Sequence, residues 1–184
     1  LFIFENEIIK PDNWNEENYL HFKKVFTWRD DIIDNKKLFK FFLPNKLPTS
    51  VSLNISRKTK FCCIIAGNKK NNHPLELYSE RLRAIKWFEI NHPDHFDLYG
   101  KGWDLTLPSF LGSIQPLLQP FYHTIFPRFI SYKGEITSKR TVLEQYRFSI
   151  CYENVRDIRG YITEKIFDCF FAGCVPVYLG ASNV

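Results

Sequence analysis

The sequence predicts an α/β fold built on parallel sheets, and three observations carry that expectation. Short runs of β-branched and aromatic residues alternate with helical periods along most of the chain. "FCCIIAG" (61–67) is an unbroken apolar run closed by glycine, the mark of a strand buried on both faces. From residue 61 onward the order strand–helix–strand repeats, as in a parallel sheet of Rossmann type. With 184 residues, 45% hydrophobic and 17% aromatic, the chain can fill the core of one domain and part of another. That composition excludes a disordered chain.

"LFIF" (1–4), "KKVFTW" (23–28) and "LFKFFLP" (38–44) read as the first three strands. "NKLPTSVSLNISRKTK" (45–60) combines prolines, Ser/Thr enrichment and charge, so it reads as an interdomain linker, with "SRKTK" a solvated basic run. The chain then divides into 1–48, a linker at 49–60 and a second domain at 61–184. In "PLELYSERLRAIKWFEIN" (74–91), Leu75, Tyr78, Leu82, Ile85 and Phe88 fall at helical spacing with charge opposite. "FDLYG" (96–100) is the next strand. The stretch 103–132, rich in proline and aromatics, receives no assignment. "SKRTVLEQY" (138–146) reads as a short helix, "RFSICYEN" (147–154) as a strand, 163–172 as a helix and "VPVYLG" (175–180) as a strand. The chain opens without Met and stops just past a core strand, so a fragment truncated at both ends is expected.

The net charge of +5 suits an anionic ligand but is too mild to argue for nucleic acid. No apolar run approaches the roughly 18 residues of a membrane-spanning helix. Cys62, Cys63, Cys151, Cys169 and Cys174 lie within or beside apolar stretches, with no C-x-x-C pair and no His at ligand spacing. They read as buried free thiols rather than a metal site. Such thiols fit a reducing compartment, so a cytoplasmic location is expected, with the Golgi lumen open for a eukaryotic chain.

The chemistry concentrates at two strand ends. Strand 147–152 runs into "YEN", a loop, and then the helix that opens "TEKIFDCFF". A helix amino terminus offers unpaired N–H groups and partial positive charge to an anion. Thr163 is a suitable N-cap, and Lys165 adds a full charge where a phosphate would lie. Glu164 would repel phosphate and suits a pair of hydroxyls, such as a ribose diol. A first-turn acid also stabilises any helix by ~0.3–1 kcal/mol, so a purely structural role stands beside the functional one. After strand 61–67, a polar loop leads to a helix bearing Arg81 and Arg83, either of which could reach the same phosphates. Glu5, in the acidic "ENE" after the first strand, lies across the linker as a candidate general base for a hydroxyl nucleophile.

"YRFSICYENVRDIRGYITEKIFDCFFAGCVPVYLGASNV" (146–184) resembles the signature of the α-1,3-fucosyltransferases, glycosyltransferase family 10. In that family F-E-N, a short loop, G-Y-[VI]-T-E-K and A-G-x-[VI]-P-[VI]-Y-x-G follow in this order. Tyr152 stands where Phe is usual, and the loop "VRDIR" departs from the commonest forms. Upstream, "KFCCIIAGNK", "HPLELYSERLRAIKWFE" and "FDLYGKGWD" resemble the start of the family's donor domain, and "FENEIIKPDNW" the tail of its acceptor domain.

The resemblance implies a GT-B enzyme: a Rossmann-like donor domain at 61–184 and, at 1–48, the C-terminal part of a Rossmann-like acceptor domain. It implies transfer of fucose from GDP-fucose, with inversion, to a hydroxyl of a GlcNAc- or Glc-containing glycan in α-1,3 linkage. Lys165 and Arg81 would neutralise the diphosphate, Arg81 being preferred to Arg83 by its spacing to Ile85 and Phe88. Glu164 would hold the ribose beside Thr163, Asn154 and Tyr161 would line the donor pocket, and Glu5 would be the base. No metal and no further cofactor are expected. The expected partners are GDP-fucose and a glycan acceptor, without nucleic acid; peripheral membrane association through segments outside this sequence is left open. A GT-B transferase for another sugar nucleotide and a non-catalytic nucleotide- or carbohydrate-binding protein remain as alternatives.

Overall fold

The computed structural model describes residues 1–43, 47–49, 51, 54–104 and 129–184. Most of the unassigned stretch 103–132 therefore lies outside the described residues.

Among the described residues, two separate parallel sheets form. The first has the order β1-β2-β3, from β1 (Phe2–Ile3), β2 (Val25–Thr27) and β3 (Leu38–Lys40). The second comprises β4 (Lys60–Ile65), β5 (Phe96–Tyr99), β6 (Tyr146–Ile150) and β7 (Val175–Val177), in the order β5-β4-β6-β7. Strand β4 is flanked on both edges, which is why its sequence is apolar without alternation. Cys62 and Ile64 pack with Ile85, Phe96, Leu98 and Trp103 on the side of α1 (Tyr78–Asn91). Cys63 faces the opposite layer, with Leu143 of α2 (Lys139–Leu143) and Cys169 of α3 (Glu164–Phe171). Ile85 is fully buried under this sheet; truncating such a side chain to Ala costs about 2–5 kcal/mol.

Several boundaries shift for tertiary reasons. Helix α1 begins at Tyr78 rather than at Pro74, because Glu76 bridges Val155 and Leu77 N donates to Asn154 O at 3.0 Å. The Glu76 carboxylate then accepts from Ser79 N at 3.0 Å and closes the first turn. Tyr146 leaves the expected helix 138–146 for β6, where it is buried and its hydroxyl bonds Asp97. Short 3₁₀ turns at Pro11–Trp14, Glu16–His21, Asp30–Ile32, Ile55–Arg57 and Pro93–His95 had no period by which a sequence could announce them.

The basic run 56–60 is not a solvated linker throughout. Lys58 Nζ donates to Tyr146 O at 3.1 Å and to Ala172 O at 3.0 Å, the latter at the C-cap of α3, where a cation is favourable. Lys60 opens β4 and pairs with Asp97 at 2.8 Å. All five cysteines are free and buried.

The sheets meet through the loop that follows β6. Trp28 packs with Val155, Ile158 and Tyr161, its ring centroid 4.8 Å from that of Tyr161. Gly160 sits at φ +84°, and a Cβ there would lie 2.2 Å from Trp28 O. Only glycine adopts this turn against that carbonyl.

Candidate functional site

Strand order reverses beside β4, so the carboxyl ends of β4 and β6 form a topological switch point, the position at which open α/β sheets bind ligands. A cavity of about 260 Å³ opens there, lined by Ile64 to Gly67, Ser149 to Tyr152, Asn154 and residues of α1, α2 and α3. Arg81, Asn154, Glu164 and Lys165 all line it. Residues separated by more than eighty positions in sequence are thus brought to one opening.

Arg81 is 5% exposed, in the first turns of α1. Its Nη2 donates to Tyr152 O at 2.8 Å, Glu153 O at 2.7 Å and Asn154 Oδ1 at 2.9 Å. These acceptors are neutral, so they orient the guanidinium without pairing its charge, which the Glu153 and Glu76 carboxylates feel through space. Burial pulls the Arg81 pKa down, yet a guanidinium stays protonated under any ordinary condition. Arg83, two residues on, points to the surface and pairs with Glu80 at 2.9 Å.

Lys165 is anchored by an acid the sequence reading passed over. Glu153 is 0% exposed. It accepts from Thr163 N at 2.7 Å, from the Thr163 hydroxyl, and from Lys165 Nζ at 2.9 Å. A buried carboxylate is tolerated only when charged or polar donors satisfy it, and these three donors do so. The available signal was an acid placed at the end of a core strand, in "YEN". Thr163 occupies the N-cap position, but its hydroxyl makes no capping bond and is taken by Glu153 and Lys165. The expected cap is therefore absent, and the first-turn amides of α3 are not closed by it.

Glu164 pairs with Lys139 of α2 at 2.9 Å, a partner that sequence spacing did not reveal. Burial opposes its ionisation, but Lys165 and Lys139 outweigh this and hold the carboxyl at about 2. Lys139 also reaches Asp168 at 3.0 Å, and Lys69 completes the cations of the lining. Among the described residues, no cluster of three or more His, Cys, Asp or Glu side chains is arranged to hold a metal ion.

The other expected site residues stand back from the cavity lining. Tyr161 is buried at the junction of the sheets against Trp28, its hydroxyl 3.4 Å from Asn154 Nδ2. Burial pushes its pKa up. Glu5 is exposed just beyond β1, and its charge is felt by both Tyr78 and Tyr161.

This geometry sits within a matched family region. The family model "Glycosyltransferase family 10 (fucosyltransferase) C-term" matches residues 55–184. The Helicobacter pylori alpha-(1,3)-fucosyltransferase FucT is 41% identical over 49 residues, 27% of this chain and 10% of that protein. A solved alpha1,3-fucosyltransferase superposes with a TM-score of 0.53 at 18% identity, over 89% of this chain and 48% of that one. A second, solved with GDP, gives 0.52 at 19% identity, over 89% and 49%. The chain thus spans about half the length of its solved neighbours, and its matched segment a tenth of the bacterial relative. The α/β fold with parallel sheets is that of GT-B fucosyltransferases, of which this chain carries a part. Because the family match runs through β4, α1, β6 and α3, which carry or flank Arg81, Asn154, Glu164 and Lys165, the chain belongs to glycosyltransferase family 10, the fucosyltransferases.

Proposed function

We propose that this chain is part of an enzyme that moves fucose from GDP-fucose onto a hydroxyl of a GlcNAc- or Glc-containing glycan, in α-1,3 linkage and with inversion at the anomeric carbon. The observation that carries the reading is the convergence of Arg81 and Lys165 on one cavity at the switch point. Departure of a nucleoside diphosphate builds negative charge on its leaving phosphate. Cations already fixed there stabilise the transition state more than the ground state. Arg81 supplies a charge with no carboxylate hydrogen-bonded to it, and Lys165 one held in place by Glu153.

In this reading residues 61–184 form the donor domain, 49–60 the linker and 1–48 the C-terminal part of the acceptor domain. Glu164 takes the ribose hydroxyls, with Asn154 beside it. Glu5 deprotonates the acceptor hydroxyl, a role worth about 10²–10⁴-fold in rate. The GDP present in one solved neighbour favours a guanosine donor.

Calorimetric titration of the full-length protein with GDP, GDP-fucose, GDP-mannose and UDP-sugars tests this. Guanosine ligands are expected to bind, and Lys165→Ala to weaken them by about tenfold or more, the loss of one charge-assisted contact. Preference for a uridine ligand, or a Lys165→Ala affinity equal to wild type, rejects the assignment.

A further inference from the structure

Among the described residues, two buried side-chain polar atoms have no hydrogen-bond partner: Asn6 Nδ2 and Trp14 Nε1. Asn6 is 0% exposed and follows Glu5 directly. Its Oδ1 is in use, accepting from Ile8 N at 3.0 Å and Ile9 N at 3.3 Å, which builds the turn that ends the first strand. Its amide nitrogen is not. Leaving a buried donor unpaired is costly, and the turn does not require that donor. A serine would cap the same backbone groups with its hydroxyl oxygen.

Asn6 sits at the same junction as Tyr161: Ile8, whose N–H donates to Asn6 Oδ1, packs on the cluster of Trp28 and Tyr161, and the Asn6 side chain draws the Tyr161 pKa back against the effect of burial. No hydrogen bond from Asn6 Nδ2 is completed. On its other side the Tyr161 hydroxyl meets Asn154 Nδ2 at 3.4 Å, and Asn154 Oδ1 accepts from Arg81 Nη2 at 2.9 Å. A polar chain thus runs Arg81, Asn154, Tyr161, Asn6, from the cavity of the second sheet to the residue beside Glu5 on the first. Trp28 fixes its middle, its ring packed against that of Tyr161 at a 55° tilt and its Nε1 donating to Phe4 O at 3.2 Å, one residue before Glu5. Of its three links, one is formed, one is long, and one stands ready to close.

We propose that Asn6 is a positioning residue: its amide donates to the Tyr161 hydroxyl when the donor cavity is filled, and so fixes Glu5 relative to the bond being broken. The inference rests on the fucosyl-transfer reading above. A ligand phosphate that draws on Arg81 shifts Asn154, and with it the Tyr161 hydroxyl, toward Asn6. Donor occupancy and placement of the base become one event.

Asn6→Ser and Tyr161→Phe, singly and together in the full-length enzyme, test this. Asn6→Ser keeps an acceptor for the turn and removes the amide; Tyr161→Phe keeps the ring on Trp28 and removes the hydroxyl. A catalytic group displaced by ~1 Å can cost about 10²-fold. Each single variant is accordingly expected to lower kcat by about tenfold or more while donor KM stays within about twofold. The double variant should be no slower than the slower single, the signature of one shared interaction. Multiplying losses, or an unchanged kcat in both singles, overturns the proposal. Should Asn6→Ser not fold, Tyr161→Phe with Asn6→Asp carries the same cycle. GDP affinity measured on the same wild-type samples separates the two ideas: no GDP binding refutes the site itself, whereas normal binding with uncoupled variants refutes only the role of Asn6.

Discussion

The two ends of the second sheet are built from the same parts and differ in what those parts leave over. At the amino ends of its strands, Asp97 accepts from Lys60 at 2.8 Å and from Tyr146, and Lys133 lies 3.5 Å away. Tyr99 and Tyr146 share a hydrogen bond at 2.9 Å. At the carboxyl ends, Glu153 accepts from Thr163 and Lys165, and Arg81 lies beside them. In both places an acid, a hydroxyl and a lysine interlock. At the Asp97 end the cations face a carboxylate directly, so their field is largely spent. At the Glu153 end Lys165 also faces a carboxylate, but Arg81 is hydrogen-bonded by two carbonyls and an amide, and Glu153 and Glu76 act on it only through space, so more of its charge stays available to whatever enters the cavity. A cation oriented by neutral acceptors is the stronger sign of a site, because an ion pair can serve stability alone.

Removing Arg81 is the sharpest way to break this contrast. Arg81→Ala strips the donor from Tyr152 O, Glu153 O and Asn154 Oδ1 together. Denaturant unfolding is expected to show a loss of about 3 kcal/mol, and GDP affinity should fall below detection. Retained GDP binding would remove Arg81 from the site. Asp97→Asn should be smaller and one-sided: about 1–2 kcal/mol of stability lost, with Asp97 only partly buried, and GDP affinity unchanged within twofold. If that variant lost GDP affinity while folded, the two ends would not be functionally distinct.

Acid titration gives a third handle. The folded Glu164 carboxyl is held at about 2, below its unfolded value, so its contribution to stability is present above the ordinary carboxylate range and is lost as pH falls toward about 2. Glu164→Gln should therefore flatten the stability profile between about pH 4.5 and 2 and leave it parallel to wild type above pH 5. The Glu164 side chain is 46% exposed, so solvent screening keeps the amplitude small. Arg83→Ala is the expected minimum: an exposed pair with Glu80, worth within about 0.5 kcal/mol and nothing in ligand binding. A loss of GDP affinity in this variant would undo the distinction between Arg81 and Arg83.

The order of strands and helices was legible because each rests on local pattern. The apolar run 61–67 could only be a central strand, and the period from Tyr78 through Ile85 to Phe88 could only place one face of α1 on it. The pair Glu164–Lys165 at a helix start and Arg81 on α1 were likewise visible as chemistry of the right kind at strand ends. Their partners were not. Glu153 looked like one more acid until burial left it no solvent, and Lys139 looked like a surface lysine until α2 came to lie beside α3. Thr163 suits a cap by residue type and by its place before the helix; a buried carboxylate ten residues earlier competes for its hydroxyl and wins.

By itself, then, the sequence determined which segments form strands and helices, since side-chain periodicity and the exclusion of apolar groups from water act over a few residues. The tertiary structure alone decided which charge each ionisable group meets, because Coulomb interactions and desolvation depend on distances through space. Those distances, set when β4, β6 and their helices close on one another, put Arg81 among neutral acceptors and Lys165 on Glu153.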